Sequence, residues 1–348
     1  MVNAITKTVL LLALLTSSFA PCWAQQPPDV TTYLKKYVGL SDEQIAEIRA
    51  GKPLTKALDA PKPSQIFVFG AVYIKATPDD YVKLSTDFAR LKKEPGNLAI
   101  APFSSPPQLA DLNGFTFEKD TLDLLKECEP GSCKVQMPES SMQEIGRSIN
   151  WSDPQAADKV NQLLQQTALK RLLAYQQGGD RELGIYNDQK HPTVVAQKFR
   201  ALLSFSRALP EYLPEMRDYL TSYPTQAPAN IQDRFYWSKI EFGLRPTLRV
   251  VHVVTLHGGD GDPVAYAIAE KQLYASHYFQ TLIEFVSCFR DTSKPDQRGF
   301  YLIKVMGSEQ AGLTGVKGSI IRKKAVSRSA DALKKSLAGT KAALEGSQ

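Results

Sequence analysis

The stretch 271-KQLYASHYFQTLIEFVSCF-289 alternates for nineteen residues. At every second position His277, Phe279, Thr281, Ile283, Phe285 and Phe289 share one face, with Ser287 as a polar gap. Tyr274, Ser276, Tyr278, Gln280, Leu282, Glu284, Val286 and Cys288 share the other. Period-two patterning with aromatic and β-branched residues marks a strand with one apolar face. The pattern therefore predicts a single long, bent antiparallel strand at the centre of a sheet.

Outward from that stretch the chain stays extended. Phe235 to Phe242, Pro246 to Leu256, Pro263 to Ala275 running on into Phe289, and Gly299 to Met306 read as strands. Turn sequences separate them at 243–246, 257–262 and 291–298. After Gly307, glycines 312, 315 and 318 form a loop able to fold over the sheet and move. A closing helix then runs from about Ser319 to Leu344, with Val326, Ala330, Leu333, Leu337 and Leu344 in one apolar stripe.

Upstream, Ile66 to Ala76 reads as a strand kinked at Gly70. Thr77 caps a helix that has Pro78 at its first position and extends to about Lys93. Ala99 to Phe103 is a short strand, and Phe115 to Glu127 pairs with Lys134 to Pro138 as a hairpin. The block Ser141 to Tyr223 is helical. A leader, 25–64, holds a capping box at Ser41 to Gln44 and a helix over Asp42 to Arg49. The fold class is α+β: a curved antiparallel sheet gripping a long C-terminal helix, in a domain spanning 65–345 with a helical insertion at about 141–223.

The first residues set the compartment. Met1 to Lys7 is a basic start, Thr8 to Leu15 an apolar run, and Thr16 to Ala24 a small and polar tail, which together predict a signal peptide over 1–24. Cleavage after Ala24 starts the mature chain at Gln25 and makes the protein periplasmic or secreted. Lipidation at Cys22 is the weaker reading, because Pro21 precedes it. The apolar run is far below the roughly 20 residues of a membrane span. Cys128 and Cys133 flank the turn Glu129-Pro130-Gly131-Ser132, a spacing that suits a disulfide in an oxidising compartment. Cys288 is left as a buried free thiol.

The net charge of +6 lies at the C-terminal end. From Lys317 onward stand Arg322, Lys323, Lys324, Arg328, Lys334, Lys335 and Lys341, against only Asp331 and Glu345. One basic helix in an exported protein does not make a nucleic-acid partner. No HExxH, CxxC or clustered His/Asp spacing appears, so no metal and no cofactor are expected. The His257-Gly-Gly-Asp-Gly-Asp262 run lacks a calcium-loop pattern and reads as a hairpin connection. No Gly-x-Ser-x-Gly elbow is present, and Gly315-x-x-Gly318 is too sparse for a phosphate loop.

His277, beside Tyr278 and Phe279, is the leading candidate for a site. His252 lies on an apolar face with Leu248, Val250, Val254 and Leu256, so the two imidazoles could face one cavity. The alternative is that each is a hydrogen-bonded core histidine. Tyr236 and Trp237 either line a cavity or cap the core.

Strand, helix, disulfide-pinned hairpin, helices, a run of antiparallel strands and a long final helix: over Ile66 to Leu344 this order resembles the helix-grip arrangement of START-like lipid-binding domains. The phrases Cys128-Glu-Pro-Gly-Ser-Cys133, Tyr236-Trp237-Ser238-Lys239 and Ala275-Ser276-His277-Tyr278-Phe279 also resemble those of a family of secreted bacterial proteins, which implies no function. The START-like resemblance implies an apolar cavity between sheet and C-terminal helix. The expected function is binding, and carrying, a hydrophobic or lipid-like ligand there. Phe279, Ile283, Phe285, Val250 and Val254 would supply burial at about 25 cal/mol per Å². His252, His277 and Tyr278 would orient a polar end, and Lys317, Arg322, Lys323, Lys324 and Arg328 would touch an anionic membrane surface transiently. The alternatives are an envelope assembly module with a filled core, or an enzyme using His277 and Tyr278 on a lipid-like substrate.

Overall fold

The computed structural model describes residues 29–242, 245–291, 293 and 298–346. The signal peptide, its cleavage site at Ala24 and the alternative lipid site at Cys22 lie outside the described residues. The strands are β1 (Leu54–Leu58), β2 (Gln65–Ile74), β3 (Asn97–Pro102), β4 (Ile185–Tyr186), β5 (Thr193–Val194), β6 (Ile231–Phe242), β7 (Arg245–His257), β8 (Val264–Ala275), β9 (Phe279–Arg290) and β10 (Phe300–Gln310). The helices are α1 (Val30–Tyr33), continued by a π-helical turn (Leu34–Val38), α2 (Asp42–Arg49), α3 (Pro78–Thr86), α4 (Phe88–Leu91), α5 (Lys119–Leu125), α6 (Glu139–Ser148), α7 (Ala156–Gly178), α8 (Val195–Phe205), α9 (Leu209–Tyr212), α10 (Pro214–Ser222) and α11 (Gly315–Gly346). Eight strands form one antiparallel sheet in the order β1-β2-β10-β9-β8-β7-β6-β3. With its long C-terminal helix the architecture is α+β and compatible with a helix grip.

The stretch 271–289 does lie mid-sheet, but as two strands. Lys271 pairs with Ile283 and Glu270 with Glu284, so the chain reverses at Ser276-His277-Tyr278. Tyr278 takes the left-handed conformation at φ 64°, where glycine or asparagine is usual. No Gly, Pro, Asn or Asp interrupts the alternation, which is why the sequence reads as one strand. The odd-numbered face survives the reversal: Ala267, Ala269, Ile283, Phe285 and Phe289 all lie in one core.

That face is not the one α11 covers. Leu333, Leu337 and Leu344 pack with Val68, Val72, Ile268, Val286, Cys288 and Leu302 on the even side. Residues expected to look at the C-terminal helix, namely Val250, Val254, Ile283 and Phe285, face away from it, under the leader and the inserted helices. A helix on each side of the sheet leaves both strand faces apolar, so alternation alone cannot choose between them. Gly70 has a packing role. A Cβ there would stand 2.8 Å from Leu333 Cδ2 and Leu337 Cδ1, so the glycine admits the helix to close contact, and those leucines fill the space between.

Smaller differences have local causes. The disulfide joins Cys128 and Cys133 as expected, but its flanks are α5 and irregular chain, not strands. Thr121, Leu122 and Leu125 bury at helical spacing there. Asp87 caps α4, accepting from the Arg90 N–H at 3.0 Å, and so splits the predicted Pro78–Lys93 helix. Gly315 and Gly318 belong to the first turn of α11, and Gly318 packs against Leu313, so they do not form a moving loop. The leader contributes β1 to the sheet and Val30, Leu34, Val38, Ile45 and Ile48 to the core.

Cys288 is a buried free thiol, 1% exposed. Burial pushes its pKa well up, removing the reactive thiolate. We expect Ellman's reagent to label it only on the unfolding time scale; rapid labelling of the native protein would contradict the packing.

Candidate functional site

One opening lies on the odd face. Tyr33 and Tyr37, four residues apart on α1 and the π-turn, line one part of it, and Phe205 of α8 meets Phe67 of β2 in a tilted ring contact at 4.1 Å. Ile283, Phe285 and Val305 form the floor. The depression offers a cavity of about 360 Å³, toward the small end of the usual ligand pocket. A pocket of only about 20 Å³ adjoins it, sharing Tyr33, Phe285 and Val305 and lined also by Tyr212, Phe289 and Ile303. Here Tyr33 meets Tyr212 at 5.2 Å and Phe289 at 5.3 Å. The π-turn places Lys36 and Tyr37 at the mouth, a local irregularity of a kind frequent at functional sites.

The rim is cationic. Lys36 Nζ pairs with Glu211 at 2.8 Å, and Tyr37 also donates to Glu211. Lys56 Nζ donates to the carbonyls of Val38 and Gly39 at 2.8 and 2.9 Å, satisfying the end of the π-turn. Arg207 is exposed and, like Asp59, lines the same depression. The hydrogen bond from Lys36 holds the Glu211 carboxyl below its usual range.

A second slot lies farther along the same face, between α6, α7 and β7–β8. It is lined by Ile145, Val160, Leu164, Val250, Leu273 and Tyr274, has a cavity of about 60 Å³, and has Arg171 and Glu144 in its lining.

Two of the residues singled out from the sequence, Ile283 and Phe285, line the first depression; the others sit elsewhere. His252 is fully buried, with Nδ1 3.0 Å from the Tyr175 hydroxyl and its ring stacked on Phe235 at 4.5 Å. Its Nε2 lies 3.5 Å from Asp233, which also accepts from Tyr219 at 2.5 Å. Burial keeps the imidazole below its ordinary pKa despite that carboxylate. His277 sits in the β8–β9 turn. Its Nδ1 is 2.9 Å from the Lys134 carbonyl and so carries the proton, while Nε2 faces Thr121 at 3.5 Å. Burial lowers its pKa as well. The two histidines share no partner and meet no common cavity; each is a hydrogen-bonded core histidine. Tyr278 accepts from the Arg245 N–H at 3.1 Å, and Phe279 packs with Ala275, Leu282 and Phe242 beside the turn.

Tyr236 and Trp237 point to opposite faces. Tyr236 donates to Glu270 at 2.8 Å on the α11 side, whereas Trp237 donates to the Asp111 carbonyl at 2.6 Å and meets Phe115 edge-on. Both belong to the core. Arg322, read as a surface contact, donates to the carbonyls of Pro63 and Gln65 at 3.1 and 3.3 Å, fastening α11 to the start of β2.

Sequence reading missed Tyr33, Tyr37, Phe67 and Phe205. The four-residue spacing of Tyr33 and Tyr37 was the available signal. Among the described residues no group of three or more His, Cys, Asp or Glu is placed to hold a metal ion, and no helix is long and apolar enough to cross a membrane. The Asp262 carboxylate instead accepts from the Gly259 N–H at 2.6 Å, closing the β7–β8 turn.

Fold and site together define an α+β protein with an eight-stranded antiparallel sheet, a long C-terminal helix and an aromatic-walled depression on the opposite face. The chain matches no protein-family model and no curated protein.

Proposed function

We propose that this is an exported, START-like protein that binds and carries an amphipathic, lipid-like ligand in the depression between the leader, α8 and β9–β10. The observation behind this reading is the depression itself, about 360 Å³, with an apolar floor of Ile283, Phe285 and Val305 and the cations Lys36, Lys56 and Arg207 in its lining. An apolar tail would be buried inward at about 25 cal/mol per Å², and an anionic head would stay at the rim. Export rests on the N-terminal pattern and on the Cys128–Cys133 disulfide.

Native mass spectrometry with organic extraction, on the mature chain purified from its own envelope, tests the reading, alongside displacement of a fluorescent fatty acid. Val305→Trp fills a half-buried floor position and should weaken probe binding at least roughly tenfold. Leu164→Trp, in the second slot, should leave it unchanged. A clean apo mass together with no probe binding would replace this reading with a filled-core assembly module, and sensitivity to Leu164→Trp alone would move the site.

A further inference from the structure

Among the described residues the exposed large apolar side chains are Leu98, Leu109, Ile185, Val316, Ile320 and Ile321, and the last three fall in the opening turns of α11. Val316 is 85% exposed, Ile320 57% and Ile321 52%. At about 3.6 residues per turn they lie on the outward side of the helix with Lys317, Lys324 and Arg328. Lys323 is at the border, and all four cations are exposed. The inward side carries Gly318 and, farther on, Leu333 and Leu337. Between Glu309 and Asp331 the sequence holds no acidic residue.

We infer that this end of α11 docks on an anionic lipid surface. Val316, Ile320 and Ile321 enter the interfacial layer, while Lys317, Lys323, Lys324 and Arg328 meet the head groups. An aliphatic tip collared by cations is the composition that interfacial helices use, and each cation adds attraction to anionic lipid. The exposed apolar area of three side chains is small beside a stable protein interface. A second copy is a poor occupant, because symmetric contact would bring two basic collars together without an acidic group between them. Arg322 and the pairing of Glu309 with Gln65 hold the tip to the sheet end where Phe67 and Gly307 border the mouth of the depression. Docking there stands whether or not the depression holds a ligand.

The test is co-sedimentation of the mature chain with vesicles of phosphatidylcholine, with and without phosphatidylglycerol, at low and high salt. Binding is expected only with phosphatidylglycerol, and salt should weaken it. Ile320→Asp with Ile321→Asp, and separately Lys323→Glu with Lys324→Glu, should each weaken it at least roughly tenfold. Thermal unfolding should be unchanged, since these side chains are exposed. The inference is overturned by absence of binding to the anionic vesicles, by variants that bind as well as the parent, or by a dimer in solution that the isoleucine changes dissolve.

Discussion

Asp180→Ala should lower stability by about 3–5 kcal/mol, read as a fall in the urea midpoint at unchanged slope. Lys271 projects from β8 with no exposed surface, and its ammonium pairs with Asp180 just beyond the end of α7. It also lies 3.8 Å from the Phe199 ring centroid and 5.3 Å from that of Tyr175. Removing the carboxylate leaves a buried cation with only ring faces for company. Replacing both partners, Asp180→Leu with Lys271→Met, should restore most of the loss, because neither desolvated charge then remains. A double variant as unstable as the single one would show that the pair's geometry, not its charge, holds this region.

The same lysine gives stability a pH dependence of known sign. Burial lowers its pKa from 10.5 to about 8, outweighing the pull of Asp180. Below that value both folded and unfolded chains carry the proton, and Lys271 adds no slope. Above it the unfolded chain binds more protons, so stability rises with pH, by about 2 kcal/mol up to pH ~9.5. Farther up, tyrosines held protonated by burial, Tyr175 and Tyr274 among them, work in the opposite direction. Lys271→Met should flatten the rise; a flat profile in the parent would refute the assignment.

Gly70→Val should cost about 3 kcal/mol or more, although valine is the better strand former. The new methyls would collide with Leu333 and Leu337, which already stand 2.8 Å from where a Cβ would be. Leu337→Ala alone opens a cavity and should cost about 2–5 kcal/mol. The two changes together should cost less than their sum, because each makes room for the other. Strict additivity in that cycle would mean that α11 does not rest on Gly70.

Much of this was legible from residues with strong local grammar. Ser41 and Gln44 form the expected capping box, Thr77 caps α3, and Cys128 and Cys133 are bonded. The strand series was legible because β-branched residues recur at period two. The β8–β9 reversal was not, because a tyrosine occupies the left-handed position. The depression was legible only at its floor, Ile283 and Phe285. Its walls come from α1, α8 and β2, distant segments that no local spacing relates. His252 and His277 drew attention as polar groups on an apolar strand, yet each is held by a hydrogen bond at Nδ1, with the Tyr175 hydroxyl and the Lys134 carbonyl respectively, and His252 Nε2 has no hydrogen-bond partner beyond its 3.5 Å approach to Asp233.

The place of β10 governs the order in which the sheet can be completed. It lies between β2 and β9, pairing Ile74 with Phe300, so the β1–β2 pair has no bridge to the rest of the sheet until nearly the whole chain is available. Meanwhile β2, buried along its full length in the finished protein, has only the short β1 beside it. Pairings of such long sequence separation close slowly and leave sticky edges exposed while they wait. Folding is thus a late, concerted event that belongs after synthesis is nearly complete, and the early strand depends on being kept extended, and kept from other chains, until its far partner arrives.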